Sequence, residues 1–465
     1  MARLRIPMFT NDKAPIRLIS AATLAFALAL GSGAEAQVKT GLQPGLTRGP
    51  DSARKISLAE AISQAQQNSP QAIQAEGNER TSKAAKVSAI GAILPSATLS
   101  MGRVIQFGGG QTRVNQNGET VAITAAPTNS TGLSMNMTLF DGGTRLYNLR
   151  TANSQIDAAE ANRVAVKYNV ALNVKQQYYA VLAAIESEEA ATFQMAQANE
   201  QFKTSIAKVR AGVATRSDSL RGVIQVGNAQ LALITAQSNK EAADAALTRL
   251  VGSAQPVTAD PNSIQENMAA LPDSAELAVL AKTGPAVQEA RANVEAAQES
   301  RKASKATYLP SLSANYSRTG SGIDPRFGLG NDPFSYNGRL SFSLSYPVFN
   351  NFQREEQVTR AKVAEINAKA TFRDTELGAQ ESLTQYIGAL RGASQRVAVQ
   401  VASVAAAEED VRVQQQRYNI GASVLLDLIT SQAALATARQ ALIQARYDYR
   451  IARAQLEALI GRDLQ

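Results

Sequence analysis

Apolar residues recur along most of this chain with the period of an α-helix, and in a few short stretches they alternate with polar ones. The longest helical stretch runs from Thr144 to Ala211 and contains no glycine or proline. As a single helix it would be on the order of 100 Å long. Within it Val170, Val174, Val181 and Ile185 form a narrow apolar seam bordered by small and polar residues. The pattern predicts one long helix over 144–211 that packs along other helices in a bundle or coiled coil.

Strict alternation of apolar and polar residues predicts β-strands in four places. In the clearest case the two classes take turns in the order Leu133, Ser134, Met135, Asn136, Met137, Thr138 and Leu139. Such a strand has one apolar and one polar face. The predicted strands lie at about 97–107, 132–140, 311–318 and 339–349, and a flexible loop over 108–131 joins the first two. Their lengths suit strands that cross a membrane at a tilt.

The same order of elements occurs twice. Corresponding residues lie 215 positions apart before the strands, as Pro70 and Pro285 do, and 209 positions apart after them, as Phe140 and Phe349 do. Each half reads helix, strand, loop, strand, long helix, tip, helix, which is typical of an internal duplication. The first half opens with a capping-box pattern at Ser57 and Glu60, and its first helix is predicted to continue to about Ile93, with an adjustment at Pro70.

The duplication sets the predicted segments of the chain. They are a polar connector (37–55), a first repeat (56–255), a proline-containing linker (256–273) and a second repeat (274–465) whose long helix covers 353–417. Residues 1–36 resemble a secretory signal peptide, with a basic start, an apolar run and an Ala-Glu-Ala cleavage pattern at its end. A membrane anchor is the alternative, but the apolar run of about 13 residues is shorter than the roughly 20 that span a bilayer.

Composition narrows the possible chemistry. The chain of 465 residues contains no cysteine, histidine or tryptophan, and aromatic residues make up 5%. Disulfides, thiolate chemistry and the commonest general base and metal ligand are therefore excluded. The sequence predicts no catalytic site, no metal site and no cofactor. The net charge of +8 is modest for an exported protein, so nucleic-acid binding is not needed to explain it.

Four two-faced strands cannot close a barrel within one chain. Unpaired backbone groups at an open edge cost several kcal/mol each in lipid, and an isolated hairpin is only marginally stable in water. Several chains must therefore pool their strands into one closed barrel and their long helices into one bundle. The physical argument requires oligomerisation and leaves the number of chains open.

Several motifs of the chain resemble the TolC-like outer membrane efflux proteins, the trimeric channel-tunnels of Gram-negative bacteria. They are Leu94-Pro95-Ser96 and Leu309-Pro310-Ser311 before the strands, Phe140-Asp141-Gly142-Gly143 and Tyr346-Pro347-Val348-Phe349-Asn350 after them, and Tyr418-Asn419-Ile420-Gly421 followed by Asp427. The resemblance implies a mainly α-helical homotrimer with a shared 12-stranded barrel in the outer membrane and a helical tunnel through the periplasm. It also implies two partners, a periplasmic adaptor and an inner-membrane transporter, and export of secreted proteins or small toxic molecules.

A pore-free periplasmic coiled-coil spacer is the alternative function. The two-faced strands argue against it, because a spacer has no use for alternating strands at matched positions in both halves.

The resemblance further implies a gate at the periplasmic end. Asp427 matches an acidic residue that forms a ring around the narrow opening, where three carboxylates would favour cations. Its alternative role is to stabilise a helix N-terminus, because it follows Gly421 closely. Thr430 stands at a second ring position where some relatives have an aspartate.

A second implied gate contact joins Tyr418 and Asp218. In the family the matching tyrosine holds the closed state by hydrogen bonding to an aspartate of a neighbouring tip, and from the residues alone Tyr418 would be an ordinary packing residue. Ser423 replaces an arginine that strengthens this contact in some relatives. On this interpretation Asp218→Ala or Tyr418→Phe should open the channel.

The resemblance also assigns the tips and the barrel junctions. Gly212 and Gly421 are predicted to form left-handed turns between antiparallel helices, and the family places adaptor contacts at these tips. The candidate contact residues are Gly212, Val213, Gly421 and Ala422. Proline at the junction of helix and strand is expected to be structural, and the three such residues are Pro95, Pro310 and Pro347.

Overall fold

The computed structural model describes residues 53–105, 111–114, 118, 120–123, 127–263, 274–323 and 335–464. The predicted signal peptide over 1–36 and nearly all of the connector over 37–55 lie outside the described residues.

Two sets of helices of matching length reproduce the predicted duplication. The first half contains α1 (Leu58–Asn68), α2 (Pro70–Gly91), α3 (Thr144–Arg210) and α4 (Arg216–Val251). The second contains α5 (Ser274–Lys282), α6 (Pro285–Ala306), α7 (Gln353–Asn419) and α8 (Leu425–Ile460). Helices α3 and α7 have 67 residues each, and α4 and α8 have 36 each. Each long helix and the helix after it form an antiparallel hairpin.

The helix predicted from Ser57 to about Ile93, with an adjustment at Pro70, is divided at that point into two helices. Ser69 has an extended backbone, and its side chain accepts a hydrogen bond from the backbone N–H of Ala72. Pro70 then occupies the first position of α2, where its missing N–H costs nothing. The serine therefore ends α1 and caps α2 at the same point.

The main sheet is antiparallel and has four strands. In sequence order the strands of the first half are β1 (Arg54–Ile56), β2 (Ser96–Val104), β3 (Gln111–Val114), β4 (Thr120–Ile123), β5 (Thr128–Phe140) and β6 (Val257–Ala259). The second half adds β7 (Ser311–Gly322) and β8 (Ser335–Ser345). The sheet has the order β2-β5-β7-β8, so the two halves of the chain join through β5 and β7. Strands β2 and β8 are its free edges.

Three predictions of strand and loop need correction. The loop expected over 108–131 contains the hairpin β3–β4 and the start of β5. The strand expected over 339–349 ends at Ser345, because Pro347 has no N–H to donate to a neighbouring strand. The connector and the linker each contribute a short strand, since β1 and β6 pair in parallel.

The core lies where α1, α3, α4 and α8 meet the β1–β6 pair. Val170, Val174 and Val181 of the predicted seam are buried there, and Ile185 packs against them. The ring of Tyr178 is fully buried, and its hydroxyl lies 2.9 Å from the backbone oxygen of Ile56. No helix in the described part of the chain is both long and apolar enough to span a bilayer.

The register of the main sheet gives it one apolar and one polar face. Neighbours on the apolar face include Leu99 with Leu133, Met135 with Tyr316, Tyr316 with Leu340, and Leu312 with Leu344. Neighbours on the polar face include Ser96 with Asn136, Asn136 with Asn315, Thr98 with Ser134, and Ser134 with Ser317. In the single chain the apolar face is uncovered, and Phe342 is 66% exposed.

Candidate functional site at the helical tips

Both tips turn through a left-handed glycine, as the sequence predicts. The φ angles are 74° at Gly212 and 77° at Gly421. The N–H of Val213 donates to the oxygen of Lys208 at 3.0 Å, and the N–H of Ala422 donates to that of Arg417 at 2.8 Å. These bonds satisfy carbonyls in the last turn of each long helix. No atom lies within 4 Å of where a Cβ would stand on either glycine, so the backbone angle alone requires glycine here.

Asp218 caps the helix on which it lies. Its Oδ2 accepts hydrogen bonds from the backbone N–H and the hydroxyl of Thr215, at 3.0 and 2.8 Å. The N–H of Asp218 donates in return to Thr215 Oγ1 at 3.3 Å. The pair forms a capping box at the start of α4.

Asp427 occupies the matching position at the start of α8, with a different partner. Val424 stands where the first half has Thr215, so the capping hydroxyl is missing. Instead Ser423 Oγ donates to Asp427 Oδ2 at 3.0 Å. The carboxylate is exposed and lies in the first turn of the helix, where the macrodipole favours negative charge. Within one chain Asp427 thus has the helix-terminal role, and its place in an acidic ring stays a prediction.

Tyr418 is buried, and its ring packs against Leu425 and Leu428 at the start of α8. Its hydroxyl has no hydrogen-bond partner among the described residues. The other contact is with Lys208 of the first hairpin, whose Nζ lies 3.7 Å from the centroid of the Tyr418 ring. The same Nζ donates to the backbone oxygen of Tyr418 at 2.9 Å. The single chain therefore does not pair Tyr418 with Asp218, and it brings in a lysine that sequence reasoning missed.

Several apolar side chains are exposed at the two tips. Val213 is 74% exposed and Ile420 is 80% exposed, and Val424 and Leu426 are exposed beside them. Ala422 is exposed as well. A partner protein could bury these side chains.

The three prolines lie where helix and sheet meet. Pro95 and Pro310 immediately precede β2 and β7, and Pro347 follows β8. In the first half the turn from β5 into α3 uses Gly142 and Gly143, with φ angles of 69° and 89°. Asn351 and Phe352 occupy the matching positions with φ angles of 55° and 61°, which a phenylalanine rarely adopts.

A groove in the helical part of the chain has no lining residues that suggest catalysis or metal binding. It has a volume of about 880 Å³, lies between α3, α4 and α8, and is lined mainly by alanine and glutamine. Arg439 is the one charged side chain among its described lining residues. Nowhere in the described ranges do three His, Cys, Asp or Glu side chains come together so as to hold a metal ion.

Comparison with known proteins identifies chains of similar sequence and fold. The chain is 24% identical to the outer membrane efflux protein BepC of Brucella suis over 349 residues. The matched region covers 74% of this chain and 75% of BepC. It is 25% identical to OpmQ, a pyoverdine export outer membrane protein of Pseudomonas aeruginosa, over 342 residues. This matched region covers 71% of this chain and 68% of OpmQ. The crystal structure of VceC from Vibrio cholerae has the same fold, with a TM-score of 0.70 at 18% identity over 88% of this chain and 97% of VceC.

The family model described as outer membrane efflux protein matches residues 61–253 and 279–462. The two matched ranges are the two repeats, with their long helices, strands and tips. These proteins are outer-membrane channels with a long helical barrel. The chain therefore belongs to the outer membrane efflux protein family.

Proposed function

We propose that three copies of this chain form a passive exit duct that closes at the periplasmic tips of α7 and α8. The duct is the outer-membrane component of a tripartite export system, and works with a periplasmic adaptor and an inner-membrane transporter. It extends from the outer membrane into the periplasm and passes secreted proteins or small toxic molecules. We propose no enzymatic role, since the family and its solved members are channel proteins.

One observation carries the duct in preference to the spacer: the two-faced sheet with two free edges. A sheet with a continuous apolar face and unpaired edges is unstable alone in either water or lipid. Three such sheets joined edge to edge form a closed barrel whose apolar face meets lipid and whose polar face lines a channel. Heat-modifiable trimers in outer-membrane fractions are the expected result, and a soluble periplasmic monomer would contradict the duct.

The acidic constriction is the second part of the proposal. The exposed Asp427 carboxylates of three chains would repel one another and attract cations at a narrow opening. In planar bilayers we expect a small cation-selective conductance that multivalent cations block from the periplasmic side. Asp427→Asn should weaken this block, because it removes the charge and keeps a side chain of the same size.

Asp218→Asn is the matched control for this experiment. It removes an acidic side chain from the corresponding position of α4, where the carboxylate is satisfied by its own capping box. Equal block in wild type and Asp427→Asn would leave the duct in place and return Asp427 to a helix-capping role. No conductance from a folded trimer would favour the spacer.

The tips are the proposed contact with the adaptor. The exposed apolar surface around Gly212, Val213, Gly421 and Ala422 supports this assignment. Val213→Asp should abolish export and leave the trimer intact, because it places a charge on a surface that the partner would bury. Export at the wild-type rate from this variant would remove Val213 from the contact. Pro95, Pro310 and Pro347 are proposed to be structural.

A further inference from the structure

Lys208 is a tip residue to which the gate described above assigns no role. It lies in the last turn of α3, and its Nζ contacts both the ring and the backbone oxygen of Tyr418, at 3.7 Å from the ring centroid and 2.9 Å from the oxygen. Lys208 forms no ion pair with a carboxylate in the described structure. Its ammonium therefore has one conspicuous partner, and that partner belongs to the other helical hairpin of the same chain.

Both groups of Tyr418 that contact Lys208, the backbone oxygen and the ring face, attract a cation. Its carbonyl lies in the last turn of α7, where the helix dipole favours positive charge. It accepts from the N–H of Gly421 at 3.3 Å, and its second lone pair is available to the ammonium of Lys208. Its ring is held by Leu425 and Leu428 of α8, so the face that Lys208 covers has a fixed position. A cation over the face of a partly desolvated tyrosine ring is attracted by the ring quadrupole.

The hydroxyl of Tyr418 has no part in this contact. It is buried without a partner in the described structure, and the carboxylate of Asp218 is bound by Thr215. What holds Tyr418 across the two hairpins is its ring and its backbone, so substitutions that keep the ring and those that remove it should behave differently.

The internal repeat limits this contact to one per chain. Residues of the second hairpin lie 209 positions after their counterparts in the first, so Arg417 corresponds to Lys208, and Val209 corresponds to Tyr418. A junction of the same kind between the second hairpin and the first hairpin of a neighbouring copy would have an arginine but no aromatic ring. The lysine contact with an aromatic ring therefore belongs to the junction inside each chain.

We propose that Lys208 clamps the two helical hairpins of each chain together at their tips, and that this clamp stabilises the closed duct. Lys208 acts as a positioning residue: it fixes Tyr418, and with it the start of α8 that carries Asp427. This proposal rests on the proposed gating of the duct.

Single-channel recordings of purified trimers in planar bilayers test the clamp. Lys208→Met removes both contacts at similar volume and should raise the ratio of open to closed duct roughly tenfold. Tyr418→Leu should also raise it, by less, because the backbone oxygen remains. Tyr418→Phe keeps the ring and should stay within about twofold of wild type. Lys203→Met is the control, since Lys203 pairs only with exposed Glu200 on the same helix, and should change nothing.

The outcomes separate the clamp from the duct. Trimers of every variant are first checked for heat-modifiable migration, so that misfolding is recognised. If Tyr418→Phe opens as far as Tyr418→Leu while Lys208→Met stays closed, the hydroxyl holds the gate and the clamp is wrong. Equal conductance of all variants overturns the clamp alone. No conductance from any folded trimer overturns the proposed function together with the clamp.

Discussion

Glu457 is the residue that fixes the C-terminal end of α8 against the middle of α3. It is 7% exposed, and its two carboxylate oxygens bind Lys175 Nζ at 2.5 Å and Arg453 Nε at 3.2 Å. It also accepts a hydrogen bond from the backbone N–H of Leu464 at 3.2 Å. Burial alone would lower the pKa of Lys175, but the hydrogen bonds and charges of Glu457 and, to a smaller extent, Asp463 raise it overall.

Glu457→Gln should destabilise the fold, because it leaves the partly buried ammonium of Lys175 with the exposed carboxylate of Asp463, 3.3 Å away, as its remaining counter-charge. We expect a loss of about 2–3 kcal/mol in the free energy of unfolding, at the low end for a broken buried ion pair. Thermal unfolding followed by circular dichroism measures it. Glu409→Gln, which breaks an exposed pair with Arg412, is the control and should cost less than about 1 kcal/mol.

The same ion pair predicts a pH dependence. Because the pKa of Lys175 is raised in the folded state, its contribution is fully present below the unfolded value of about 10.4 and is lost as the pH rises through the folded value. The difference in stability between wild type and Glu457→Gln should therefore shrink above about pH 10.5. A difference that stays constant from pH 7 to pH 11 would contradict the assigned ion pair.

For single residues, the sequence predicted those features whose physical cause lies in neighbouring residues of the chain. The left-handed turns at Gly212 and Gly421 were predictable because a glycine between two helices has a local conformational reason. The contact of Lys208 with Tyr418 was not, because 210 positions separate the two residues and no pattern joins them. The resemblance implies a contact between Tyr418 and the Asp218 of a neighbouring tip, and this contact stays a prediction; within one chain Asp218 caps its own helix.

The turn from β5 into α3 is a tightly packed connection between elements. Gly142 has a φ of 69°, and a Cβ there would lie 2.4 Å from the backbone oxygen of Ala306 and 2.7 Å from the Cβ of Leu309. The turn of the first repeat thus packs directly on the end of α6 in the second. Because Gly142 has no side chain and can adopt a positive φ, the first repeat can pack closely against the second next to the sheet.

Gly142→Ala should destabilise the chain by about 2–4 kcal/mol, because backbone strain and a backbone clash add together. The fraction of heat-resistant trimer and the thermal unfolding midpoint measure it. The matched control is Gly77→Ala inside α2, where no atom lies within 4 Å of the new Cβ. That change should stabilise by up to about 1 kcal/mol, since alanine is the better helix former. Equal behaviour of the two variants would remove the packing argument.

For the whole molecule, the internal repeat predicts how neighbouring chains join. Inside the chain β5 pairs with β7, with Met135 opposite Tyr316. Met135 corresponds to Leu344 of β8, 209 positions later, and Tyr316 corresponds to Met101 of β2, 215 positions earlier. Strands β2 and β8 are the two free edges of the sheet. Both residues belong to the apolar face. The edge of one chain should therefore pair with the opposite edge of the next in this register, and three chains close the barrel.

Cysteine cross-linking tests this register without background, because the chain contains no cysteine. Met101→Cys combined with Leu344→Cys should form disulfide-linked dimers and trimers under mild oxidation, and so should Ser100→Cys with Ser345→Cys, the next pair along. Met101→Cys with Phe342→Cys is two residues out of register and is the control. Stronger cross-linking of the control than of the two matched pairs would show a different register.

By itself the sequence determined the long helices, the two-faced strands, the tip turns and the duplication, because each leaves a periodic or local signal. Only the tertiary structure decided the parallel pair β1–β6, because strands of three residues are too short to show an alternation of apolar and polar residues. The same holds for the joining of the repeats through β5 and β7 and for the contact of Lys208 with Tyr418. These contacts link segments far apart in the chain, so burial and hydrogen bonding between packed elements, and no local pattern, determine them.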